Sequence, residues 1–191
     1  KLYDGVNQFL TTLTDNSGLA RDSESESNAL INATLGHMPV ILGVDAQARD
    51  VGRTVIANGV MFANDRSTLT SVAYLGNRES QQMRERLQRS FSGSPSGEGS
   101  LVATLKTQQD AASAYDTLLT KSILGSSVID LKIDVFSKAA NTAISTTLTL
   151  FEDSVKQLDA QLGSRLAHLH FKQFWAYVAS FGNLLLGIYL F

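Results

Sequence analysis

The chain contains no cysteine and only two prolines, Pro39 and Pro95. The first absence excludes disulfides, thiolate metal centres and a cysteine nucleophile, and it suits an oxidising compartment. The second, over 191 residues, favours long helices over a many-stranded β fold, because proline breaks few segments here. An excess of positive charge is also missing. Sixteen basic side chains face 18 acidic ones, for a formal net charge of −2. Nucleic-acid partners are therefore not expected, since they call for a basic patch or stripe. No glycine-rich phosphate loop follows a strand pattern. His168 and His170 stand two apart, whereas helical metal ligands stand three or four apart, so they read as an interfacial pair. Neither a metal, a cofactor nor a catalytic constellation is expected. With no signal peptide and no starting methionine visible, the chain reads as a piece of a longer protein.

What the sequence does contain is helical periodicity. Leu2, Val6, Phe9, Leu10 and Leu13 mark one face of a helix over 2–14, which Asp15-Asn16-Ser17-Gly18 interrupts with turn chemistry. The acidic run 22–28, with Asp22, Glu24 and Glu26, suits the positive end of a helix dipole. A long helix over 24–60 follows. Its seam is Leu30, Thr34, His37, Ile41, Val44, Ala48, Val51, Val55, Asn58 and Phe62, in steps of three and four. Pro39 should kink or divide it, and Gly36, Gly43, Gly52 and Gly59 permit close approach of a neighbour. On the seam, His37 reads as a satisfied core histidine. A third helix fits 65–91, with Asp65 as N-cap and Leu69, Val72, Met83, Leu87 and Phe91 facing the core. The loop SGSPSGEGS ends it. A fourth fits 99–122 through Leu101, Leu105, Gln108, Ala112, Tyr115 and Leu119, and Gly125 breaks it. The last starts near Asp134 and carries the stripe Ile144, Leu148, Phe151, Val155, Leu158, Leu162, Leu166 and Leu169.

No charge follows Lys172. Residues 174–191 read FWAYVASFGNLLLGIYLF, 18 residues that would span roughly 27 Å as a helix, close to a bilayer core. Trp175 and Tyr177 stand where an aromatic belt belongs, and Arg165, His168, His170 and Lys172 precede them at headgroup level. The expected fold is therefore all-α: an antiparallel long-helix bundle, 1–173, whose last helix continues into a transmembrane segment, 174–191.

Three side chains stand out as binding candidates. Asp45, Arg49 and Arg53 follow one another at four-residue steps, one position beyond the apolar seam. They read either as a surface ion ladder, at about 0.3–0.5 kcal/mol per pair, or as an arginine pair lining a pocket for an organic anion.

Residues 15–32, DNSGLARDSESESNALIN, resemble a stretch of the periplasmic sensor regions of bacterial methyl-accepting chemotaxis proteins and related transmembrane diguanylate cyclases. The matching positions are Asp15, Asn16, Ser17, Gly18, Leu19, Asp22, Ser27 and Leu30. The block HMPVILGVDAQARDVG is similar through Pro39, Arg49 and Gly52, and LLLGIYLF looks like a second membrane helix of such receptors. The family's usual proline is Ser23 here, and its usual aromatics are Asn28 and Ala29. The resemblance implies a signal-sensing domain in the periplasm, anchored in the bacterial inner membrane, working without enzymatic chemistry. It implies a homodimer whose partner is a small-molecule ligand or a periplasmic protein. A diguanylate cyclase or histidine kinase input domain is the nearest alternative, and a membrane-anchored structural coiled coil is the alternative of another class.

Overall fold

A computed structural model describes the backbone of residues 25–91 and 98–190, with side chains over 27–91 and 99–163. The expected helix 2–14, its turn at 15–18 and the side chains of 174–191 lie outside the described residues. The chain divides into two compact units, Lys1–Val155 and Lys156–Phe191. The described part is helical with no strand, and the first unit is a packed helical bundle.

The long first helix forms in three pieces: α1, Ser25–Ile31; a π-helical turn, Asn32–His37; and α2, Met38–Asn58. Pro39 explains the division. It has no N–H to give the preceding turn, and its ring crowds the carbonyl four residues back. The π turn widens the backbone just before it, with Met38 N–H reaching Ala33 O, so the helix axis continues past the proline. Helix α2 ends at Asn58, two residues before the expected end at 60. Gly59 takes φ 65°, the left-handed conformation that closes helices, and its N–H bonds Ile56 O at 3.2 Å. Asn58 and Phe62, expected on the seam, are therefore exposed, Phe62 by 62 %.

Helix α3, Ala63–Ser90, begins with Phe62 at the cap position. Asp65 is not the N-cap: it lies three residues inside and takes the Phe62 N–H on its carboxylate at 3.2 Å. Leu69, Val72, Met83 and Leu87 are buried as their spacing predicts. Helix α4, Glu98–Thr117, passes into a second π-helical segment, Leu118–Leu124, closed by Gly125 N–H on Thr120 O at 2.8 Å. Helix α5 runs Ile133–Leu190 and so contributes to both units.

Cross-helix bonds give the topology. His37 meets Glu79 from α3, while Asn77 of α3 meets Asp116 of α4 and Arg66 meets Leu124. Thr104 and Gln108 of α4 meet Asp153 and Thr147 of α5, and Arg49 of α2 meets Asn141 of α5. With the contacts of Gly76 on Val44 and of Gly52 on Phe136 added, one number rises as its partner falls for each helix pair, so sequential helices are antiparallel and α5 closes the ring against α2. The core holds Val44, Ala48, Val55, Leu69, Val72, Tyr115, Leu119, Ile123, Phe136 and Ala140. At its centre Gly52 lies against Phe136: a Cβ there would fall 2.5 Å from the ring. Tyr115 and Phe136 stack at 5.4 Å between centroids, tilted by 47°.

The phase of α5 departs from expectation. The buried seam is Phe136, Ala140, Ala143, Thr147, Leu150 and Ser154, whereas Leu148 and Val155 are 45 % and 39 % exposed. Both runs keep three-to-four spacing. The Phe136–Gly52 contact sets the rotation of α5, and buried Gln108 opposite it gives its amide N–H to Thr147 Oγ1 at 3.3 Å.

Among the described residues one helix, Ser27–Asn58, is long and apolar enough to cross a membrane. Half of its most apolar 18-residue stretch is buried inside the bundle, which also suits a core helix.

Candidate functional site

The bundle is dry where Gly52 meets Phe136 and open one side over. Along α2, Val44 and Ala48 turn into the core, which leaves Asp45 at the edge facing α3 and α4. There a cleft runs between α3 and α4. Its inner chamber, about 30 Å³, is walled by Asp45, Gly76, Asn77, Ser80, Tyr115 and Asp116. The outer chamber, about 390 Å³, is lined by Asn77, Ser80, Arg84, Gln109, Asp110 and Asp116. Asn77, Ser80, Ala112 and Asp116 belong to both walls.

The cleft exists because small residues flank the seams. Gly76 has no side chain to fill the floor; a methyl there would meet Val44 Cγ2 at 3.4 Å and Asp45 Oδ1 at 3.9 Å. Ala112 and Ser113 keep α4 slim at the same level. Inner space of this size holds one water or one group as large.

The floor is electrostatically unusual. Burial and then the neighbouring Asp116 charge push the Asp45 carboxyl up to about 7. The Asp45 carboxylate accepts no hydrogen bond from the described residues, while its backbone carbonyl takes Tyr115 O–H at 3.4 Å. Burial, and then Asp45, also hold the Tyr115 phenol well above its ordinary range, so it stays a neutral donor. Asp116 takes one N–H of Asn77 on Oδ1 at 3.1 Å. Ser80, only 8 % exposed, makes no hydrogen bond through its hydroxyl. The buried side-chain atoms without a partner among the described residues are Gln108 Oε1 and Ser154 Oγ, so the Ser80 hydroxyl is one that the cleft can reach and that a group in the cleft can bond.

A second polar cluster is centred on Glu79, the residue before Ser80. Glu79, buried on α3, accepts His37 Nδ1 at 2.8 Å and Arg78 Nη2 at 2.6 Å. Burial works to raise the Glu79 carboxyl, but the bonds from His37 and Arg78 outweigh it and hold it below the ordinary carboxylate range. His37 is thus half-buried and satisfied, as the sequence suggests. Among the described residues no group of three or more His, Asp or Glu side chains is set to hold a metal.

The three residues singled out by spacing are not gathered into one pocket. Asp45 faces the α3–α4 cleft. Arg49 lies toward α5, where its guanidinium bonds Asn141 Oδ1 at 3.1 Å and Asp50 Oδ1 at 3.0 Å. Arg53 is exposed on an open groove of about 380 Å³ that it shares with Asp50, Thr54 and Ile133. Sequence reasoning missed Asn77, Ser80, Arg84 and Asp116. A signal was present in the small and polar residues Gln109, Ala112, Ser113 and Asp116, which recur at helical spacing beside the seam of α4.

Compared with protein-family models, with curated proteins and with solved structures, the chain matches none of them.

Proposed function

We propose that the chain is the signal-sensing domain of a transmembrane receptor, placed outside the cytoplasm, in which the α3–α4 cleft takes up the signal and α5 carries it to the membrane. The observation that carries this reading is Tyr115. Its side chain walls the cleft, its hydroxyl bonds Asp45 O on the cleft floor, and its ring stacks on Phe136 of α5. Occupancy of the cleft therefore acts through one side chain on the helix whose sequence ends in the uncharged stretch 174–191. Packed helices respond to such pressure by shifts of about 1–2 Å rather than by bending, and a stiff helix passes such a shift along its axis. The work is differential binding between two helix arrangements and needs no covalent step. The likeness of residues 15–32 and 37–52 to chemotaxis receptors supports the same reading and favours a chemotaxis output.

The test uses the absence of cysteine. In the full-length protein expressed in bacteria, Ala114→Cys places one thiol on the exposed face of α4. A maleimide that cannot cross the inner membrane is expected to modify it in intact cells, and the protein is expected to sediment with membranes. Extraction without detergent, or modification only after lysis, overturns the reading.

A further inference from the structure

The chemistry of the cleft narrows what it holds. Its acidic and basic walls are Asp45, Asp110 and Asp116 against Arg84, with Asp45 and Asp116 at the floor and Asp110 and Arg84 in the outer chamber. An anion seated on that floor meets two carboxyl groups. A bare divalent cation asks for about six oxygen ligands, more than this floor brings together. A water molecule fits but brings no positive charge.

We propose that the α3–α4 cleft binds a small molecule bearing a primary ammonium group, with the ammonium seated on the floor formed by Asp45, Asp116 and Ser80. An ammonium has three N–H donors and a size close to that of water. Three acceptors await it. The Asp45 carboxylate is free of hydrogen bonds from the described residues, Asp116 is engaged by Asn77 at Oδ1, and the Ser80 hydroxyl has no partner although the residue is 8 % exposed. Carboxylate–ammonium bonds are charge-assisted and short, and a floor of about 30 Å³ has room for the ammonium in place of a single water. The outer chamber, about 390 Å³, takes the body of a compact ligand and lies within the usual range for small-molecule sites, about 300–1,000 Å³. Arg84, in the wall of that chamber, suits a carboxylate at the far end of such a molecule. The inference depends on the receptor reading for its purpose and on the cleft for its chemistry.

Three four-carbon probes separate the possibilities: 1,4-diaminobutane, 4-aminobutanoate and butanedioate. Calorimetry on the full chain in non-ionic detergent is expected to show binding of both ammonium compounds, and binding of the dianion at least about tenfold weaker. Asp116→Asn and Gly76→Ala are each expected to weaken the ammonium compounds by about tenfold or more, Gly76→Ala because its methyl enters the floor. That methyl makes ordinary contacts, so the variant keeps a cooperative unfolding transition, and loss of binding cannot be charged to misfolding. Arg49→Ala should bind as the parent does. The proposal fails if neither ammonium compound binds, if Gly76→Ala binds them unchanged, or if butanedioate binds tightest and loses affinity in Arg49→Ala. That last pattern would establish an anion site on the other flank of α2. Any of these failures leaves the maleimide result at Ala114→Cys standing, so the ligand chemistry and the receptor reading fail separately.

Discussion

The two flanks of α2 obey opposite rules. Toward α5, Gly52 is so tightly covered by Phe136 that no atom can be added. Toward α3 and α4, Gly76 stands opposite with room for a methyl, and the space between holds a carboxyl group without a hydrogen-bond donor. The same residue type thus serves close packing on one flank and an opening on the other. Close approach of α5 fills one flank of α2, while the flank toward α3 and α4 keeps a polar cleft.

The strongest way to break the contrast is Gly52→Ala. The added methyl collides with the Phe136 ring at 2.5 Å, and the ring, being buried and stacked on Tyr115, has little space to retreat. Overpacking of this kind destabilises by about 1–3 kcal/mol, and the upper end is expected here. For a bundle of this size the melting temperature should fall by roughly 2–4 °C per kcal/mol. A melting temperature equal to the parent's would show that the two flanks are packed alike.

Asp45→Asn should act in the opposite direction and with a pH signature. The carboxyl ionises at about 7 in the folded chain and near 3.9 when unfolded. Between those values the folded state holds a proton that the unfolded state has lost, so this group's stabilising contribution falls as pH rises and levels off above about 7. With the side chain partly reached by the cleft, the full difference is on the order of 2–3 kcal/mol. The Asn variant should be more stable than the parent at pH 8 by that amount, with little difference near pH 4. Glu79 has the reverse sign, because its folded-state ionisation is lowered; its contribution is present above the ordinary carboxylate range and lost in acid. Urea titrations at pH 4, 6 and 8 on parent and variant isolate the Asp45 window. Parallel stability curves would remove the strained floor from the comparison.

Much of this architecture was legible beforehand. The three-to-four spacing located every described helix, and Pro39 and Gly125 announced their interruptions. What failed was rotation. For α5 the sequence offers two stripes one position apart, and hydrophobicity selects Leu148 and Val155 over Thr147 and Ser154. The structure selects the other, because Phe136 must enter the space above Gly52 and Gln108 needs Thr147. Neither requirement is local. Asp45 lies beside a cleft, while its spacing pairs it with Arg49 and Arg53 along its own helix. Burial raises its carboxyl most, and the residue whose charge adds to that, Asp116, is 71 positions away, where no periodicity within α2 points.

Gly76→Ala sharpens the contrast from the cleft side. Alanine is favoured over glycine in a helix by about 1 kcal/mol, and its methyl here meets only ordinary contacts, so a gain of about 0.5–1 kcal/mol is expected. Set beside Gly52→Ala, the same chemical change should stabilise one flank and destabilise the other. Thermal unfolding of the two variants measures this directly, and equal signs would refute it.

The smallest effect belongs to Arg49→Ala. Its guanidinium bonds Asp50 and Asn141, and the side chain is 28 % exposed against 64 % for Asp50. Asp50 is its immediate neighbour in sequence, so little of that pair bridges separate elements; Asn141 supplies the one tie to α5. An exposed pair of this kind contributes about 0–1 kcal/mol, and salt screens it. A loss of about 0.5 kcal/mol is therefore expected in dilute buffer, arising mainly from the Asn141 bond. The ionic part should fade as salt rises to about 1 M, where the Debye length is about 3 Å. Urea unfolding at low and high salt separates the two contributions. A loss above about 2 kcal/mol that persists in salt would mean that Arg49 fastens α2 to α5 as firmly as Gly52 and Phe136 do, and the division between a packed flank and a binding flank would have to be redrawn around it.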